Sequence, residues 1–123
     1  MRGAFTCMIL AALGGCASGG PTLGPLSDIR FEELAPSGPD TAACEGFRFG
    51  VEEARRFFAR AVVVTPYDVN YDYVFAGCTA RGTASVRGQP VTWEVDRGGT
   101  GTVSFSREFS FAVADPRRRT RAE

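Results

Sequence analysis

The stretch VTWEVDRGGTGTVSF, residues 91–105, decides the fold. Val91, Trp93 and Val95 alternate with Thr92, Glu94 and Asp96, the period-two pattern of a strand with one buried and one wet face. Arg97-Gly98-Gly99-Thr100 reads as a turn, and Val103 and Phe105 then alternate with Thr102 and Ser104. Two such runs joined by a short glycine-rich segment form a hairpin. Gly98-Gly99-Thr100-Gly101 could cradle a phosphate only if it opened a helix, and a strand follows it instead.

The same pattern extends both ways. Thr83 to Arg87 leads into a turn at Gly88-Gln89-Pro90, and beyond Ser106-Arg107 the residues Phe109, Phe111 and Val113 alternate with Glu108, Ser110 and Ala112. Upstream, Tyr71, Tyr73 and Phe75 alternate with Asp72 and Val74 and read as a further strand, while Val62-Val63-Val64-Thr65 is β-branched throughout and ends at Pro66. The segment VEEARRFFARA, residues 51–61, changes period: Val51, Ala54, Phe57, Phe58 and Ala61 make one helical stripe. Glu52 and Glu53 open it and Arg55, Arg56 and Arg60 close it, as the helix dipole favours, and Glu52 stands four residues before Arg56. The predicted fold is α+β: an antiparallel meander of about four to five strands with one amphipathic helix packed on one face.

Around this core the chain divides by composition. Residues 44–115 form the predicted compact α+β domain. Residues 16–43 read as a tether, since ASGGPTLGPL (residues 17–26) is rich in Gly and Pro and uncharged. Within it, Asp28 to Leu34 has enough apolar character for a short strand or for packing on the domain. Residues 116–123, PRRRTRAE, read as a basic disordered tail; residues 16–116 before it hold 9 arginines and 13 acids. Such a tail could meet phosphates of an anionic membrane, or simply be solvated.

Composition removes much chemistry. The 123 residues carry 14 basic and 14 acidic side chains, with no histidine and no lysine. Zero net charge argues against nucleic acid as a partner. Without histidine there is no Ser-His or Cys-His nucleophile pair and no usual zinc ligand. Asp68, Asn70 and Asp72 match the first three ligand positions of an EF-hand loop. The match fails at Tyr73, where glycine is needed, and at Thr79, where a bidentate glutamate is needed. No metal, cofactor or catalytic site is expected, and the chain does not read as an enzyme.

The N-terminus gives an address. Met1-Arg2 is followed by an apolar run from Ala4 to Leu13, about half the roughly 20 residues a spanning helix needs. Leu13-Gly14-Gly15-Cys16 resembles the lipobox of bacterial lipoproteins. That resemblance implies a signal peptide over residues 1–15 and lipidation of Cys16. It also implies a cell-envelope location, with Ala17 after the cysteine favouring an outer-membrane lipoprotein facing the periplasm. Ordinary cleavage near Ala17 is the competing reading. With Cys7 in the leader and Cys16 acylated, Cys44 and Cys78 remain, an even pair that reads as a disulfide in an exported small domain; two buried thiols are the alternative. From Phe47 to Val103, the order of helix, Cys78, Gly82, Trp93-Glu94 and Gly98-Gly99-Thr100-Gly101 is similar to small exported bacterial proteins of uncharacterised function. It implies the sheet and no activity.

Tyr67, Tyr71 and Tyr73 are the candidate interaction patch, because tyrosine is enriched where proteins bind one another; cross-strand packing is the plain alternative. The function expected is that of a lipid-anchored envelope protein acting by binding an envelope protein, in an accessory, assembly or inhibitor role. The alternatives are an immunity-type protein that neutralises a toxin and a carboxylate-dependent enzyme on envelope polymers.

Overall fold

The computed structural model describes residues 21–120. Along the chain lie β1 (Leu26–Pro36), α1 (Val51–Arg60), β2 (Val62–Val64), α2 (Pro66–Asp72), β3 (Cys78–Val86), β4 (Gln89–Asp96), β5 (Thr100–Ser104) and β6 (Ser110–Ala114), followed by a 3₁₀ turn at Pro116–Arg118. The strands form one antiparallel sheet in the order β1-β3-β4-β5-β6-β2. The fold is α+β as expected, but the sheet has six strands rather than four to five. The meander proper is β3 to β6. The additional edges are β1, which lies inside the segment read as tether, and the short β2.

The alternation seen in the sequence is the alternation of burial. Val91, Trp93 and Val95 point into the core, while Thr92 and Glu94 are exposed. On the same face stand Ala80, Ala84 and Val86 of β3, Val103 of β5 and Val113 of β6. α1 covers this face with Ala54, Phe57 and Phe58, and Ala61 follows. Phe58 meets Trp93 edge-on with ring centroids 5.8 Å apart, and Phe57 meets Phe58 edge-on at 5.0 Å. Burying each phenylalanine contributes about 1.5–3 kcal/mol. At the helix start the Glu53 carboxylate accepts the Gly50 N–H at 2.9 Å, satisfying an amide with no partner within the helix. The surface pairs are Glu52–Arg55 and Glu53–Arg56, one residue closer than the Glu52–Arg56 spacing suggested.

Two turns are dictated by backbone. Arg87 and Gly88 both have positive φ (51° and 82°), the two-residue geometry that matches strand twist, so Gln89 and Pro90 belong to β4 and not to the turn. At the β4–β5 connection Gly99 has φ 103°, and its amide donates to the Asp96 carbonyl at 2.9 Å.

The sheet curls. The Pro21 carbonyl accepts the Val63 N–H of β2 at 2.7 Å, yet five residues later the chain enters β1 on the opposite edge. Five residues reach at most about 18 Å, whereas five flat inter-strand steps of about 4.8 Å span about 24 Å. The sheet must therefore wrap around α1. Leu23, Leu26, Ile29 and Leu34 pack against the core from this segment. This corrects the tether assigned to residues 16–43: Pro21 is hydrogen-bonded to β2, Leu23 packs on the core, and Leu26–Pro36 pairs with β3 as the strand that the Asp28–Leu34 reading allowed. Two register irregularities, between Ser27 and Arg30 and between Phe31 and Glu33, together with exposed Arg30, Glu32 and Glu33, make β1 a poor template for another strand.

Cys44 and Cys78 are joined in a disulfide with Cα atoms 5.0 Å apart, tying the loop between β1 and α1 to the first residue of β3.

Candidate functional site

The segment from Thr65 to Phe75 departs most from expectation. It is not a strand: α2 occupies Pro66–Asp72. The Thr65 hydroxyl accepts the Asp68 N–H at 3.1 Å, the Asp68 carboxylate accepts the Thr65 N–H at 3.3 Å, and Pro66 sits in the first turn. This reciprocal cap fixes the helix start, and it overrides the β preference of the tyrosines and valines that follow.

Helical spacing regroups the candidate patch. Tyr67 and Tyr71, four residues apart, lie on one face with ring centroids 4.5 Å apart, 58% and 61% exposed. Tyr73 lies beyond the helix end and is buried, so it belongs to the core side and leaves the patch. Burial pushes its phenol above the ordinary 10.0, with Arg119 pulling the other way and Asp72 adding to the rise. In its place Val74 and Phe75 face solvent, 57% and 68% exposed. The sequence reading places neither in the patch, because it treats residues 71–75 as one alternating strand, whereas the helix ends at Asp72 and turns Val74 and Phe75 outward. The signal that could have found them is the Thr65-Pro66-Tyr67-Asp68 capping pattern.

This segment is pinned at both ends. At the end of α2 the Asp72 carboxylate is buried and binds Arg119 at 2.7 Å, while the Asp72 carbonyl accepts from both the amide and the hydroxyl of Thr120. After Phe75 the buried Asp96 carboxylate accepts the N–H groups of Ala76, Gly77 and Gly98 at 2.9, 3.1 and 2.7 Å. Between these points Tyr73 turns inward, while Val74 and Phe75 are presented outward. Pro66, Val69 and Phe75 form one wall of a cleft of about 290 Å³, whose other wall includes Thr79, Glu94 and Thr102 of the open sheet face.

The Asp72–Arg119 pair also corrects the tail. Residues 116–120 are not a free terminus: Asp115 caps the 3₁₀ turn through the Arg117 amide, and Arg119 and Thr120 dock on α2. The EF-hand resemblance dissolves in the same geometry, since Asp68 serves the helix cap and Asp72 points inward to Arg119. Among the described residues no group of three or more His, Cys, Asp or Glu could hold a metal ion.

A second concavity of about 740 Å³ lies on the open sheet face. Thr83, Thr92 and Ser104 stand side by side across β3, β4 and β5 and line it with Phe105 and Arg107. It is a surface of hydroxyls in a chain without histidine to activate one. Cys16 lies outside the described residues. No helix of the described residues is long and apolar enough to cross a membrane.

No family model, curated protein or solved structure matches the chain.

Proposed function

We propose that the chain is a lipid-anchored protein of the cell envelope that acts by binding another envelope protein through the surface around α2. The observation that carries this reading is the concentration of exposed apolar side chains. Among the described residues, four of the six large hydrophobic side chains that face solvent, Tyr67, Tyr71, Val74 and Phe75, fall within residues 67–75. Large exposed apolar groups cost solvation unless a partner covers them, and clustered ones mark interaction sites. The stacked tyrosines lose little side-chain entropy on binding, because each is already restrained by its neighbour. The buried pair at Asp72 and the three amides on Asp96 supply the rigidity that preorganised recognition needs. The anchor is Cys16, through the lipobox-like Leu13-Gly14-Gly15-Cys16, and the function is capture or placement of the partner at the membrane.

The test is cross-linking in the native host, followed by recovery of the protein from the envelope fraction. The expected result is a stoichiometric partner that is lost on joint Tyr67→Ala and Tyr71→Ala substitution while the melting temperature stays within about 2 °C. Unchanged capture by the doubly substituted protein, or no enriched partner, would overturn the reading. The anchor is checked separately by palmitate labelling, which Cys16→Ser should abolish.

A further inference from the structure

Six arginines from four parts of the chain converge on one cleft of about 210 Å³. Arg48 comes from the loop before α1, Arg56 and Arg60 from α1, Arg97 from the β4–β5 turn, and Arg117 and Arg118 from the 3₁₀ turn. The sequence shows only the last two as a basic run. Docking of residues 116–120 brings them to the others.

Three carboxylates share the cleft, and each is already engaged. Glu53 pairs with Arg56 and accepts the Gly50 amide. Asp115 pairs with Arg117 at 3.0 Å and with Arg60 at 3.5 Å. Asp96 is occupied by three backbone amides. Arg48, Arg97 and Arg118 form no ion pair with a carboxylate among the described residues. Two of them are nonetheless positioned. One terminal nitrogen of Arg97 donates to the carbonyls of Ala43 and Glu45, both at 2.9 Å, with its guanidinium over the Phe47 ring. Arg118 packs directly on Gly99, where an added Cβ would fall 2.7 Å from the arginine Cβ. Its amide is fixed to the Asp115 carbonyl at 2.9 Å. Placing like charges together without a counter-charge costs Coulomb energy, which a bound anion relieves.

We propose that this cleft is a binding site for phosphoryl groups, with Arg48, Arg97 and Arg118 supplying the uncommitted charge. A guanidinium offers planar, paired donors that match phosphate oxygens, and a multiply charged anion suits three uncommitted cations better than one carboxylate does. The phosphoryl group comes either from a lipid headgroup at the membrane that holds the anchor or from a soluble phosphate. The site makes no use of the Tyr67–Tyr71 surface, so either can fail without the other.

The experiment uses the full chain carrying Cys16→Ser, so that acyl chains do not dominate membrane binding. Pyrophosphate is titrated calorimetrically, and vesicles of phosphatidylcholine with and without phosphatidic acid are tested by co-sedimentation. Saturable 1:1 binding of pyrophosphate is expected, weakened at least tenfold by joint Arg48→Gln and Arg118→Gln. A control pair, Arg55→Gln with Arg87→Gln, removes the same charge outside the cleft and should leave affinity within twofold. Phosphatidic acid-dependent sedimentation that pyrophosphate competes away assigns the site to lipid headgroups; pyrophosphate binding without it assigns the site to soluble phosphates. The proposal is overturned if neither probe binds, or if the control pair weakens binding as much as the cleft pair. Thermal melts of both double variants separate loss of binding from loss of fold.

Discussion

The Trp93 indole lies across the backbone of β3 at Gly82: a Cβ on residue 82 would fall 2.7 Å from the indole Cζ2 and would also strike the Arg30 carbonyl of β1. The indole N–H donates to the neighbouring Thr83 carbonyl at 3.0 Å, so the ring is satisfied as well as buried. Gly82 thus lets the largest core side chain and the β1 edge approach β3 together. Gly82→Ala is expected to cost at least about 1–3 kcal/mol by overpacking, read as a lower urea midpoint. An unchanged midpoint would show that β1 and Trp93 can both move aside.

The Cys44–Cys78 bond closes a loop spanning a sequence separation of 34. Loops of that size gain roughly 3–4 kcal/mol from restricting the unfolded chain. Joint Cys44→Ser and Cys78→Ser substitution should lower stability by about that amount in chemical denaturation, and reductant should then have no further effect. Reductant sensitivity persisting in the double variant would mean that some other group governs it.

The parts of the fold that were legible in the sequence are those where one local signal acts alone. The strand alternation at Val91–Val95 and the stripe from Val51 to Ala61 both report a single buried face, and both match the structure. Tyr71 to Phe75 was misread because two signals compete there: alternation and aromatic content favour strand, while Thr65-Pro66 and Asp68 start a helix whose first-turn amides they satisfy. β1 was only partly legible: Asp28 to Leu34 reads as a short strand or as packing on the domain, but not as a full edge strand from Leu26 to Pro36. Its two register irregularities break the period, and Leu26, Ile29 and Leu34 fall at no constant spacing. The exposed surface around α2 that is proposed to bind is half legible: the sequence points to Tyr67 and Tyr71, but which tyrosine faces inward depends on the helix. The arginine cleft was not legible, because its members meet only through tertiary structure.

Asp96 holds the two connections that flank the α2 surface. Its buried carboxylate takes amides from the β4–β5 turn and from the segment leading into β3, and Asp96→Ala would leave all three donors without that acceptor. The Gly98 donor is buried and those of Ala76 and Gly77 are half-buried, and a buried donor left unpaired costs about 1–3 kcal/mol. The variant should lose at least about 2 kcal/mol, and hydrogen exchange at Ala76, Gly77 and Gly98 should quicken ahead of exchange in β4. Uniform acceleration across the sheet would mean that Asp96 supports the whole fold rather than these connections.

Asp115 gives the fold a signed response to acid. Burial pushes its carboxyl up, but hydrogen bonds from the Arg117 side chain and amide, with the charges of Arg117 and Arg60, outweigh that and hold it below the ordinary 3.8. A carboxyl that ionises more readily when folded binds fewer protons in the native state, so stability rises with pH wherever the unfolded chain is still protonated. The contribution is therefore complete above about pH 5 and is lost as pH falls through the ordinary carboxylate range toward the lower folded value. Comparing wild type with Asp115→Asn isolates it from other acids. The stability difference should be constant from about pH 8 to pH 5 and should shrink below about pH 4. A difference that stays constant down to about pH 2 would show that the Asp115–Arg117 and Asp115–Arg60 contacts contribute no net electrostatic stabilisation.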